Sequence, residues 1–138
     1  LENILDVTPP GIAKGMGRAL TRLFDGYALT QTTWASYKDS LQSGPWLVRW
    51  VEEFYDHRSA IHGRPARTSV WEPWEHGLIA TVVWGLSVKL LLAEAGRYSL
   101  TDADRIEIQA LDERIATGSP VHPRWADALA HAQRTLGP

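Results

Sequence analysis

Pro45-Trp46-Leu47-Val48-Arg49-Trp50-Val51-Glu52-Glu53-Phe54-Tyr55-Asp56-His57-Arg58-Ser59-Ala60-Ile61-His62-Gly63 is the most informative run of the chain. At roughly 100° per residue, Trp46, Leu47, Trp50, Val51, Phe54, Tyr55 and Ile61 share one broad face. Arg49, Glu52, Glu53, Asp56 and Ser59 share the other. The pattern predicts a helix from Pro45, which suits a first helical position, to about His62, with Gly63 as its stop. Arg58 projects between Leu47 and Val51, and His62 lies about 40° further round, near Tyr55. Both are expected on the apolar side, where a charge is costly unless it is paired or lines a wet cleft. A break of this kind in a local pattern marks a candidate functional site.

Working back towards Leu1, residues 1–10 end in Thr8-Pro9-Pro10 and read as a leader. Apolar residues at helical spacing then predict a helix over Gly11–Leu29, with Gly15 and Gly17 as points of close helix approach. Thr32 or Thr33 is expected to cap a short helix through Leu41, with Trp34, Tyr37 and Leu41 as its apolar side. Ser43-Gly44-Pro45 reads as a turn.

Working forward, residues 63–69 form an expected loop that carries Arg64 and Arg67. Residues Glu75–Ala95 are apolar on nearly every side, the mark of a helix buried all round or sandwiched in an oligomer. Gly96 ends it. Thr101 caps the next helix, with Asp102 and Asp104 in its first turn. Pro123 opens a last helix, with Trp125, Leu129 and Leu136 turned inward. The expectation is an all-α bundle of five or six helices, without a strand, forming one domain over residues 1–138.

At 138 residues the chain can bury a core without staples. With no cysteine, disulfides and thiolate metal sites are excluded. A net charge of −2 supplies no general attraction to nucleic acid or anionic membranes, so any RNA contact needs a local basic patch. The run from Leu78 to Ala95 carries Lys89 and several small residues and does not read as a membrane span. No signal peptide is visible, and a cytoplasmic location is expected. The chain begins at Leu1, and it reads as the C-terminal part of something longer.

Arg58 and His62 are the leading candidates for chemistry. A histidine can move a proton near neutral pH, and an arginine can hold a phosphate and stabilise charge developing on it. The plainer alternative is a helix C-terminus that favours cations. Tyr55 can hydrogen-bond to His62 or to a substrate, or simply pack. Arg64 and Arg67 can grip phosphates or remain solvated loop charge. Glu72, Glu75 and His76 offer metal-ligand chemistry, but no second histidine lies at matching spacing. No metal or other cofactor is expected. Trp46, Trp50, Trp84 and Trp125 are expected in the core, and Trp71 and Trp74 at a cleft or dimer seam.

The string Phe54-Tyr55-Asp56-His57-Arg58-Ser59-Ala60-Ile61-His62-Gly63 resembles the motif segment of HEPN domains, particularly their ApeA-like branch. There a Tyr-Asp-x-Arg-Ser pattern leads to Ile-x-His-Gly. The resemblance implies a helical bundle, a two-fold homodimer and a cleft in which each protomer contributes an Arg and a His to metal-independent RNA cleavage. Carried over by position, Arg58 and His62 match the motif Arg and His, and Ser59 the polar residue after the Arg. The family places four to six residues between Arg and His, and this chain has three. The alternative is a non-catalytic module that dimerises or docks a partner domain or toxin–antitoxin partner. A third possibility is a small-molecule bundle lined by Trp71, Trp74 and Trp84 around a closed apolar pocket.

Overall fold

A computed structural model describes residues 12–35, 40–63 and 69–116. Helix α1 (Ile12–Leu23) leads into the antiparallel strands β1 (Gln31–Ala35) and β2 (Leu41–Pro45). Helices α2 (Trp46–Ile61), α3 (Pro73–Glu94) and α4 (Asp102–Ala116) follow. The described fold is therefore four helices with a two-stranded sheet, which overturns the expected all-α bundle of five or six helices. The expected last helix from Pro123 lies outside the described residues.

The correction falls between residues 32 and 45. Thr32, Thr33 and Trp34 had been given to a capped helix, yet they lie in β1, opposite Gly44, Ser43 and Gln42. Two β-branched residues beside an aromatic favour a pleated strand over a helix. Trp34 is buried between exposed or half-buried neighbours, the alternation of a one-sided strand. Its indole covers Gly44, where an added Cβ would stand 3.5 Å from the ring. Gly44 is thus a seat for Trp34 within β2 and not part of a free turn. A lone hairpin is marginal in water, and this one is pinned at both edges. Trp34 Nε1 donates to Glu52 at 2.8 Å. Asp112 of α4 accepts from the Thr30 amide, the Thr30 hydroxyl and Trp46 Nε1, each at 2.8 Å.

Helix α1 is shorter than expected. It ends at Leu23, and turn bonds such as Tyr27 N–H to the Phe24 carbonyl carry the chain round Gly26. Its pairing with α2 is close at Gly17, where an added Cβ would lie 3.4 Å from Val48 Cγ1. Met16, Leu20 and Phe24 meet Leu47, Trp50 and Val51 in the core, which Ile79, Val83 and Leu86 of α3 and Ile108 and Leu111 of α4 complete.

Helix α3 begins two residues before its expected start. Glu72 caps it, Pro73 takes its first position, and the Glu72 and Glu75 side chains exchange bonds with each other's backbone N–H in a capping box. Its buried side carries Glu75, His76, Ile79, Val83, Leu86, Ser87 and Leu90. The outer side is exposed, so α3 is not buried all round: Trp84, expected in the core, is 49% accessible and Trp74 44%. Among the described residues α3 is the one helix whose length and composition would let it cross a membrane.

The start of α4 agrees with expectation. Thr101 Oγ1 accepts from the Asp104 amide, and Asp104 accepts from the Thr101 amide and hydroxyl. Asp104 also accepts from Lys89 Nζ and the Tyr98 hydroxyl, both at 2.6 Å. The Lys89 bond, followed by those from Tyr98 and Thr101, holds this carboxyl far below the usual carboxylate range.

Candidate functional site

Helix α2 runs beyond the core at its C-terminal end. Trp46, Leu47, Trp50 and Val51 are buried, Phe54 and Tyr55 half-buried, and Ile61 is 82% accessible. Residues that continue the apolar stripe past Tyr55 therefore meet solvent. Arg58 and His62 had been placed on the buried side by helical phase; both are exposed. Phase specifies direction, but burial also needs a neighbour at that height along the helix.

The Arg58 guanidinium lies over the Tyr55 ring, 5.7 Å from its centroid, a cation–π arrangement that fixes the side chain against its own helix. Tyr55 is in turn edge-on to Phe54, at 5.8 Å. His62 is the C-cap, its N–H reaching the Ser59 carbonyl at 3.1 Å. Gly63 follows at φ +87°, a left-handed stop that glycine takes without strain, as its position predicted. Both side chains thus stand at the negative end of the helix dipole, which favours the Arg58 charge. Ser59 is half-buried between them in sequence. The structure brings Tyr55, Arg58, Ser59 and His62 onto one helix end. Arg64 and Arg67 lie outside the described residues.

A second polar cluster, which sequence reasoning had not assembled, occupies the junction of α2 with the start of α3. Glu53 accepts from Arg49 Nε at 2.6 Å, from the Ser69 hydroxyl at 2.6 Å and from the Val70 amide at 3.0 Å. Ser69 Oγ lies 3.1 Å from His76 Nε2 and accepts from the Trp71 amide at 3.1 Å. Because the Ser69 proton goes to the Glu53 carboxylate, Ser69 Oγ faces His76 as an acceptor, and Nε2 carries the imidazole proton. His76 Nδ1 is then an acceptor, buried with no hydrogen-bond partner.

His76 is only 2% accessible. Burial, then the His57 ring 5.3 Å away, lower its pKa to about 4, and the Glu53 charge offsets them only in part. The hydroxyl points away from the base, so this is not a Ser-His-acid nucleophile. It is a lock that ties the 69–71 backbone to α2. The metal-ligand reading of Glu72, Glu75 and His76 fares similarly: the carboxylates serve the capping box, and His76 faces Ser69. The available signal was Arg49, Glu53 and His57 at four-residue intervals, a polar stripe along α2.

Arg49 also stacks on Trp71, 5.6 Å from its ring centroid, and lines a cleft of about 400 Å³ with Thr30, Trp46, Trp71, Glu75 and Arg114. Trp71 therefore lines a cleft, as expected, and one of mixed polar and apolar lining. Trp74 and Trp84 instead stand exposed on α3, which removes the closed apolar pocket that the three were to share.

No family model matches the chain, and no curated protein or solved structure matches it either.

Proposed function

We propose that the exposed C-terminal turn of α2 is a phosphodiester-cleaving site, that its substrate is RNA, and that it works in the metal-independent manner of the HEPN domains its motif resembles. One observation carries the reading. Arg58 and His62 are one helical turn apart, both reach solvent, and the guanidinium is held over Tyr55. In this mechanism the ribose 2′-oxygen attacks the adjacent phosphorus and the P–O5′ bond breaks. The products are a 2′,3′-cyclic phosphate and a 5′-hydroxyl. His62 takes the proton from the 2′-hydroxyl or delivers one to the departing 5′-oxygen. Arg58 stabilises the charge gathering on the equatorial phosphoryl oxygens, with Ser59 orienting it. Tyr55 offers its hydroxyl to the substrate, and Arg64 and Arg67 hold flanking phosphates. A cytoplasmic setting and a homodimer belong to the same proposal.

Cleavage of a single-stranded RNA should persist in EDTA and fail where the scissile nucleotide is 2′-deoxy. Arg58→Ala and His62→Ala should each reduce the rate at least about 100-fold. Full cleavage by the double variant would refute the assignment. The three-residue spacing between Arg58 and His62 favours a second reading, a non-catalytic HEPN-like module within a larger defence or stress protein. RNA binding or partner docking without cleavage by the wild type would establish that reading.

A further inference from the structure

The cleft where β1, the first turns of α2, the start of α3 and the end of α4 meet takes no part in the chemistry proposed above. Its volume of about 400 Å³ is that of a small-molecule site. Trp46, Val70 and Ile115 supply apolar wall, and Arg49, Arg114 and Glu75 supply charge of both signs. Glu75 is 5% accessible, yet its carboxylate is only half bonded. Oε2 accepts from the Glu72 amide at 2.7 Å, and among the described residues no donor reaches Oε1. Arg49 is held by Glu53 through Nε at 2.6 Å, and its guanidinium lies over Trp71. Its terminal nitrogens make one long contact, 3.4 Å from Nη1 to Thr32 Oγ1. Among the described residues Arg49 pairs with Glu53 and not with Glu75.

We infer that this cleft binds a free α-amino acid with an apolar side chain. A buried charge is costly unless it is paired. Here a carboxylate oxygen and the end of a guanidinium open onto one cleft without meeting each other. A ligand that carries both an ammonium and a carboxylate satisfies the two at once. Glu75 Oε1 accepts from the ammonium. The Nη nitrogens of Arg49 form a planar fork that donates two parallel bonds to the ligand carboxylate. The ligand side chain lies against Trp46, Val70 and Ile115. Other occupants match less of the site. A plain anion leaves Glu75 without a partner and adds a second negative charge near it. A plain amine leaves the Arg49 fork empty. A metal ion lacks donors, because Glu75 is the one carboxylate among the described lining residues and no group of three candidate ligands occurs among the described residues. Arg49 precedes Arg58 by nine residues, about 14 Å of helix, so the cleft is separate from the RNA site and does not rest on that reading.

The test is isothermal titration calorimetry of the whole 138-residue chain with L-leucine, L-methionine and L-phenylalanine. At least one should bind with a Kd below about 1 mM. The tightest of the three is then compared with the acid that lacks its ammonium and the amine that lacks its carboxylate. Each should bind wild type at least about ten-fold more weakly. Glu75→Gln keeps an oxygen for the Glu72 amide, so its melting temperature should stay near that of wild type. It should weaken the amino acid at least about ten-fold and leave the acid no weaker. Arg49→Gln can still donate to Glu53, and it should weaken the amino acid and the acid alike. Arg58→Ala should bind the amino acid as wild type does, whatever it does to RNA. Any of three results overturns the assignment: none of the three amino acids binding in the millimolar range, the acid or the amine binding wild type as tightly as the amino acid, or full affinity in both Glu75→Gln and Arg49→Gln. The comparison of ligands on wild type decides the matter even if a variant fails to fold.

Discussion

His76 shows how one side chain is set by its surroundings. Its Nε2–H reaches Ser69, its Nδ1 has no partner, and the ring is buried against His57, Phe54 and Trp71. Protonation would place an unpaired N–H donor and a charge in that site, so the folded protein holds the ring neutral down to about pH 4. The unfolded chain takes up that proton near the ordinary value of 6.5. Between these values the unfolded state binds more protons, so stability is fully present above pH 6.5 and is lost as pH falls towards 4. The loss is up to about 3 kcal/mol. Urea denaturation at pH 7 and pH 4.5 should show it, and His76→Gln should flatten that component of the profile. Little of this was legible in the sequence. The i,i+4 series Arg49, Glu53, His57 was visible, but Ser69 and His76 join it only because the chain reverses between α2 and α3. Arg58 and His62 were legible as a pair on one helix end; their exposure was not.

Among the elements, the helices were the readable part because each carries local signals. Pro45 leads into α2 and Gly63 closes it, and Thr101 with Asp104 begins α4; the apolar run revealed α3, but the capping box of Glu72 and Glu75 that begins it was not read. The hairpin carries weaker signals, and its stability comes from elsewhere. Asp112, 67 residues beyond Pro45 in sequence, accepts three bonds from the chain that enters β1 and α2. Asp112→Ala should therefore cost about 2 kcal/mol, as three partly buried donors lose their acceptor. Urea denaturation measures the cost, and faster amide exchange in Gln31–Ala35 than in α3 should locate it. The Lys89–Asp104–Tyr98 cluster ties α3 to α4 in the same manner. Asp104→Asn should lower the melting temperature more than Asp102→Asn does, since among the described residues Asp102 pairs with exposed Arg105 alone.

On the scale of the whole molecule, an apolar face on α3 coexists with a small net charge of −2. As the pH falls to the sequence pI of about 6.2, the net charge reaches zero and repulsion between copies disappears. Solubility should pass through a minimum at mildly acidic pH, measured as turbidity across a pH series, and Trp84→Glu should relieve it. The sequence alone determined where four helices lie, where α2 stops, and that Arg58 and His62 share one helix end, because periodicity and capping act within a few residues. Tertiary structure decided that residues 31–45 form a hairpin, that α3 has an outer face, and that the α2 terminus stands clear of the core. It also gathered Arg49, Glu53, Ser69 and His76 into one network. Burial and long-range hydrogen bonds depend on which neighbour reaches a given height on a helix, and no local repeat encodes that.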